Sequence, residues 1–139
     1  MDDLVAAAVG ERVWAVVGAS NDRSKFGNRI YRDLRAAGYR VYPVNPGAQT
    51  IEGDRAFATL ADLPETPAVV DVVVPAPIGF KILDDSVAVG AGYFWLQPGA
   101  ESACLIAAAR ESALHVIHNR CAMVEKLNWH TTPAGAAVV

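Results

Sequence analysis

The sequence predicts one α/β domain built on a doubly wound sheet of about five parallel strands, with helices on both faces. Short apolar runs, typical of strands that are buried on both faces, alternate with longer segments of helical periodicity. Successive strands are about 20 to 30 residues apart, which suits right-handed parallel crossovers. The length of 139 residues suits a single hydrophobic core.

The composition narrows the class of protein. Hydrophobic residues make up 53% of the chain and charged residues 19%, which argues against disorder. A net charge of -3 and the lack of a basic run argue against nucleic acid as a partner. The two cysteines, Cys104 and Cys121, have no disulfide or metal-ligand spacing and suit the reducing cytoplasm. An acidic N-terminus and the lack of a long apolar run argue against a signal peptide or a membrane span.

The first half of the chain predicts two strands and two helices, followed by a stretch of weaker pattern. Gly38 ends the second helix, and Asn45-Pro46-Gly47 is a turn signal after the second strand. Residues 48–66 predict only a short extended piece at 55–57 and one helical turn at 59–62. The regular elements are a short helix over 2–10, a strand over 13–17, a helix over 26–37 and a strand over 39–44.

The second half continues the alternation. Asp71 interrupts an otherwise apolar strand, and we expect it to cap a neighbouring loop rather than to act in catalysis. Trp95 is expected in the core because it lies inside a strand. The predicted elements are strands over 69–74, 93–97 and 114–118, helices over 78–90 and 101–112, and a last short element over 122–127. We expect residues 130–139 to form a flexible tail.

The turn after the first strand predicts an anion site. Gly18 and Ala19 have side chains too small to keep a ligand off the backbone, and Ser20 offers a hydroxyl. The next helix aims its free N–H groups and the positive end of its dipole at this turn. Lys25, Arg23 and Arg29 are candidate phosphate partners, with solvent exposure as the alternative for each.

The carboxyl ends of all the strands carry small, polar or proline residues. In a doubly wound sheet these ends converge on the ligand. After the first strand they are Gly18-Ala19-Ser20, after the second Asn45-Pro46, after the third Pro75-Ala76-Pro77, after the fourth Pro98-Gly99 and after the fifth Asn119-Arg120-Cys121. This convergence predicts a nucleotide-type pocket.

The residues argue against NAD as the nucleotide. A dinucleotide fingerprint needs glycines where this chain has Ser20 and Arg23. An NAD site also places an acid at the end of the second strand, where this chain has Val44-Asn45-Pro46. An NAD-type binding module is therefore kept as the alternative.

Blocks along nearly the whole chain, from about Arg12 to Lys126, resemble a known family in their order and combination. The chain is similar to the small stand-alone CoA-binding proteins, which resemble the CoA-binding domain of the succinyl-CoA synthetase α subunit. The blocks are Gly18-Ala19-Ser20, Lys25-Phe26-Gly27, residues 38–46, Val72-Val73-Val74-Pro75, residues 95–99 and residues 119–125. The resemblance implies a Rossmann-like fold and coenzyme A, or an acyl-CoA, as the ligand.

The resemblance also implies a set of ligand contacts. Gly18, Ala19 and Ser20 would line the phosphates, with Lys25, Phe26 and Gly27 in the following block. Asn45 and Pro46 would lie at the nucleotide end, and Val74 and Pro75 along the pocket wall. Leu96, Gln97 and Pro98 would lie towards the thiol-bearing arm.

Synthetase activity is not implied. The synthetase α subunit carries its phosphorylated histidine in a second domain, and none of His115, His118 and His130 matches it. We expect a carrier, sensor or accessory protein without catalytic machinery of its own, and leave open a partner enzyme or a second copy of the chain. An acyl-CoA enzyme that uses Cys121 is a further alternative, although a cysteine in such a place is more often a small buried hydrophobe.

Overall fold

Five parallel strands form the central sheet of the computed structural model, which describes residues 2–125. The strands are β1 (Val13–Val17), β2 (Arg40–Val44), β5 (Val69–Val72), β6 (Tyr93–Leu96) and β7 (His115–His118). Their order in the sheet is β2-β1-β5-β6-β7, which confirms the doubly wound α/β fold. A separate antiparallel hairpin consists of β3 (Thr50–Ile51) and β4 (Asp54–Arg55).

Within residues 2–125, the four longer helices cover the two faces of the sheet. They are α1 (Asp2–Gly10), α2 (Phe26–Ala36), α3 (Ala76–Val89) and α4 (Ala103–Arg110). One face packs against α1 and α2 through residues such as Val5, Ile30 and Leu34. The other face packs against α3 and α4 through Leu83 and Leu105. Alternating side chains of the inner strands therefore meet a helix on either side, which is why β1 and β6 are continuously apolar.

Aromatic side chains fill the first of these cores. Trp95 is fully buried, as predicted, and its ring lies 5.6 Å from that of Trp14. Trp14 also meets the ring of Tyr39 edge-on at 5.4 Å. Each indole N–H has a backbone acceptor, namely Glu11 O for Trp14 at 2.8 Å and Arg120 O for Trp95 at 2.9 Å. The polar edges of both rings are therefore satisfied inside the core.

Several predicted boundaries are displaced by one to three residues. The third strand of the central sheet, β5, ends at Val72 rather than at position 74, because Val73 and Val74 leave the sheet towards the carboxyl edge. Helix α3 begins at Ala76, two residues early, since Pro77 is tolerated in the first helical turn. Helix α4 is shorter than predicted, and Ser102 caps it by accepting a hydrogen bond from Leu105 N.

Two other findings concern the weakly patterned and terminal stretches. The hairpin at 50–55 was not predicted, whereas the helical turn appears at Leu60–Asp62. Residues 122–125 are helical, and the rest of the predicted 122–127 element and the predicted tail lie outside the described residues. No helix within residues 2–125 is long and apolar enough to span a membrane.

Candidate functional site

The chain reverses its direction across the sheet between β1 and β5. From β1 it moves outward to β2, and it then crosses back to place β5 on the other side of β1. The loops that leave β1 and β5 therefore diverge and open a crevice at the carboxyl edge. Ligands of doubly wound sheets bind at such a point.

Two glycines shape the turn after β1. Gly18 has a φ of 103°, in the left-handed region, and a Cβ there would lie 2.8 Å from Val73 Cγ2. A Cβ on Gly27 would lie 2.1 Å from the carbonyl oxygen of Gly18. Helix α2 therefore begins directly against the turn, at a distance that only glycine permits.

The start of α2 carries no side-chain cap. Lys25 is the N-cap residue, its side chain makes no capping hydrogen bond, and the first turn holds no acid. Within residues 2–125, the amides of Phe26 and Gly27 have no hydrogen-bond acceptor. These N–H groups and the helix dipole make the turn attractive to an anion.

One carboxylate lies in the turn itself. Asp22 accepts hydrogen bonds from the backbone N and the hydroxyl of Ser24, at 3.0 and 2.6 Å. These bonds, aided by the nearby Lys25 ammonium, hold the pKa of Asp22 below its usual value. The hydroxyl of Ser20 accepts a hydrogen bond from Asp22 N at 3.0 Å. The serines of the turn thus fold the loop before the helix and do not cap the helix.

The 50–55 hairpin clamps this turn from outside. Glu52 receives two bonds from Arg23, of 2.6 and 3.3 Å, and one of 2.9 Å from Asn28 Nδ2. The same Asn28 amide donates to Ser20 O at 2.7 Å. Asn21 exchanges bonds with Thr50 O and Glu52 N, at 2.8 and 2.9 Å. No local sequence pattern signals these contacts, because the paired residues lie more than 20 positions apart.

Two clefts open on either side of the switch point. The β2-side cleft has a volume of about 380 Å³, and the β6-side cleft about 260 Å³. Val74 lines both clefts and separates them. The β2-side cleft is lined on one wall by Gly18, Val44, Asn45 and Pro46, and on the other by Ile78, Lys81, Ile82 and Asp85 of α3. The β6-side cleft is lined by Phe26, Val73, Pro75, Pro98, Gly99 and Ala100.

The structure brings most of the predicted site residues to this edge. Gly18, Asn45, Pro46 and Val74 line the β2-side cleft, while Phe26, Val74 and Pro75 line the β6-side cleft. Ala19 and Gly27 are buried beneath the turn, Ser20 is half-buried within it, and Lys25 is exposed at the helix start.

The Asn45 side chain is committed to the protein. Its Nδ2 donates to Ala19 O at 2.9 Å, and its Oδ1 accepts from Gly47 N at 2.8 Å. Asn45 therefore ties the loop after β2 to the turn after β1. Its side chain fixes the shape of the β2-side cleft.

Gln97 lies behind the crevice. It is fully buried and lines neither cleft. Its Nε2 donates to Asp71 Oδ1 at 2.6 Å, and its Oε1 accepts from Ala122 N at 3.3 Å. Burial raises the pKa of Asp71 to about 7, and the bond from Gln97 opposes that rise. Asp71 therefore bonds to the residue that follows β6.

A third and larger groove lies along the outer side of α2. Its volume is about 580 Å³, and its walls carry Arg23, Arg29, Arg32 and Arg35. Three of these arginines bond to protein groups: Arg23 to Glu52, Arg35 to Asp54, and Arg32 to Asn28 Oδ1 at 2.7 Å. This groove is the most open of the three and is lined mainly by α2 rather than by the loops that leave β1 and β5, so we favour the two clefts as the site.

The charged side chains that line the clefts are Lys81 and Asp85, both in the β2-side cleft. Cys121 is half-buried and does not line either one. Within residues 2–125, no group of three or more His, Cys, Asp or Glu side chains is placed to hold a metal ion. What the edge offers is backbone amides, apolar walls and a few exposed charges, which suit the binding of a phosphorylated ligand.

The sheet order and the helix that begins directly after the first strand define a doubly wound, Rossmann-like α/β protein. Residues 12–126 match the family described as the CoA binding domain. The chain therefore belongs to the CoA-binding domain family.

Relatives and solved structures agree with that assignment. An ADP-forming acetate–CoA ligase of Archaeoglobus fulgidus is 33% identical over 102 residues, which are 68% of this chain and 15% of the ligase. A hypothetical protein from Pyrococcus horikoshii superimposes with a TM-score of 0.86 at 27% identity, covering 92% of this chain and 91% of that one. A Thermus thermophilus protein superimposes with a TM-score of 0.83 at 34% identity, covering 92% and 98%. This chain thus spans a small part of the ligase and nearly all of the two smaller proteins.

Proposed function

We propose that this chain binds coenzyme A or an acyl-CoA at the carboxyl edge of its sheet, as a carrier, sensor or accessory protein. In this proposal residues 1–139 act as one ligand-binding domain in the cytoplasm, where its cysteines stay reduced. The observation that carries the proposal is the turn after β1. Its glycines bring the free amides of α2 against an open crevice in a member of the CoA-binding domain family.

The shape of the crevice suits the parts of the ligand. The pyrophosphate would bind at the amides of Phe26 and Gly27, where the helix dipole favours negative charge. The adenosine half would occupy the β2-side cleft, whose walls include Val44, Leu60 and Ile82. Its volume of about 380 Å³ falls within the usual range of about 300 to 1,000 Å³ for small-molecule sites. The pantetheine arm would follow the narrower β6-side cleft.

NAD fits the same edge less well. Its ribose is usually held by an acid at the end of the second strand. Here that position holds Asn45, whose amide is already bonded on both sides to backbone groups. Discrimination between the two ligands is therefore the sharpest test of the proposal.

A thermal-shift panel of coenzyme A, acetyl-CoA, NAD and ATP tests the proposal. A ligand at about 100 times its dissociation constant stabilises a protein by about 2.7 kcal/mol, which raises the Tm of a domain of this size by several degrees. We expect that rise with coenzyme A or acetyl-CoA and little change with NAD. A rise with NAD alone, or with none of the four compounds, would overturn the proposal.

A further inference from the structure

Lys81 is the cation of the β2-side cleft. It lies in the second turn of α3, and among the described residues that line the cleft it is the only positively charged side chain. Its side chain is 75% exposed, and its Nζ lies 3.4 Å from Asp85 Oδ1, one turn further along the helix. The ammonium is thus at the mouth of the cleft, with the half-buried carboxylate of Asp85 as its partner.

The ligand proposed above carries one more anion than the turn after β1 accommodates. Coenzyme A has a phosphate on its ribose in addition to the pyrophosphate, whereas NAD, ATP and 3′-dephospho-CoA lack it. If the pyrophosphate binds at α2 and the adenosine enters the β2-side cleft, the ribose phosphate falls within that cleft. A cation at the mouth of the cleft would hold that phosphate through charge-assisted hydrogen bonds.

The other basic residues near this edge are placed elsewhere. Arg23, Arg29, Arg32 and Arg35 line the groove along the outer side of α2 and do not line the β2-side cleft. Lys25 lies at the start of α2, beside the expected position of the pyrophosphate. The cleft itself therefore leaves Lys81 for the ribose phosphate.

The ion pair that Lys81 now makes is easily exchanged. Exposed pairs of this i,i+4 kind contribute little to stability. A phosphate dianion offers more charge and more acceptor oxygens than one carboxylate, and the flexible lysine stem lets the ammonium turn towards it.

We infer that Lys81 binds the 3′-phosphate of coenzyme A and gives the site its preference for coenzyme A over 3′-dephospho-CoA. The inference rests on the proposed function, since it assigns one phosphate of the proposed ligand. Asp85 opposes the binding of this phosphate, because its carboxylate competes for the Lys81 ammonium and repels the phosphate.

Calorimetric titration of both ligands into wild-type protein and variants tests the inference. Because charge-assisted contacts of this kind are strong, Lys81→Gln is expected to lower the affinity for coenzyme A about tenfold or more. The same variant is expected to bind 3′-dephospho-CoA within about twofold of wild type. Retained binding of 3′-dephospho-CoA also serves as the check on folding.

Two acidic neighbours supply matched controls. Asp85→Asn removes the competing carboxylate. It is expected to raise the affinity for coenzyme A about two- to threefold and to leave the affinity for 3′-dephospho-CoA unchanged. Asp84→Asn alters an exposed carboxylate that does not line the cleft, and it is expected to leave the affinity for both ligands unchanged.

The outcomes separate this inference from the proposed function. If Lys81→Gln weakens the binding of both ligands equally, or of neither, the role of Lys81 is overturned. The proposed function still stands in that case, because the wild-type protein binds coenzyme A. Failure of the wild-type protein to bind either ligand would instead overturn the proposed function, and with it the assignment of Lys81.

Discussion

Asp71 is predicted to make the stability of this protein depend on pH in an unusual direction. Its carboxyl is fully buried in the central sheet, with Gln97 Nε2 donating to Oδ1. Its Oδ2 has no hydrogen-bond partner within residues 2–125. Burial raises the pKa from the ordinary value of 3.8 to about 7, because the charged form loses its hydration.

The sign follows from where the proton is held. Between about pH 4 and pH 7 the folded protein keeps the proton on Asp71 whereas the unfolded chain releases it, so the free energy of unfolding falls as the pH rises. A pKa rise from 3.8 to about 7 corresponds to about 4 kcal/mol, all of it lost above about pH 7. Asp71→Asn keeps an oxygen that accepts the Gln97 bond and removes the charge. The variant is expected to be more stable than wild type by up to about 4 kcal/mol at pH 8.

Urea unfolding at several pH values, followed by the fluorescence of the buried Trp14 and Trp95, measures this difference. Other carboxyl groups titrate equally in both proteins, so the difference between the two unfolding free energies isolates Asp71. Asp84→Asn is the control, since that carboxylate is exposed and should leave the pH profile unchanged. A constant difference between Asp71→Asn and wild type from pH 4 to pH 8 would refute the reasoning.

Two further predictions concern the turn after β1. Gly27→Ala places a Cβ 2.1 Å from Gly18 O, so we expect a loss of about 3 kcal/mol or more in urea unfolding, together with loss of coenzyme A binding. Gly10→Ala, where a Cβ meets nothing within 4 Å, should remain within about 0.5 kcal/mol of wild type, and an equal loss in both would contradict the close-packing argument. Glu52→Gln breaks the pair with Arg23 and should lower both the Tm and the affinity for coenzyme A at neutral pH. Because Arg23 holds the pKa of Glu52 below its ordinary value, the Tm difference should shrink as the pH falls through the acidic range, and a pH-independent difference would contradict the role of the charge.

The regular elements were predictable because their signals are local. The apolar run at Val13–Val17 and the helix start at Phe26 agree with the sequence to the residue. The end of β5 was not predictable, because Val73 and Val74 are as apolar as the strand residues before them. Apolar character alone does not distinguish a residue inside the sheet from one that lines a cleft.

The 50–55 hairpin was beyond sequence reasoning for a different reason. Its strands have two residues each, too few to display an alternation. What holds it is a set of side chains on α2 and the preceding turn, including the pairs Arg23–Glu52 and Arg35–Asp54. From the sequence, Arg23 is a candidate phosphate partner or a solvent-exposed side chain, because its acidic partner Glu52 is distant along the chain.

The central claim, that coenzyme A binds at the switch point, is tested most directly by mapping backbone amide shifts in a ¹H–¹⁵N spectrum during titration with coenzyme A. The account predicts the largest changes at Gly18, Ala19, Ser20, Phe26 and Gly27, because these amides surround the expected pyrophosphate. Changes centred on the groove of Arg29 and Arg32, or no saturable change at any amide, would contradict it.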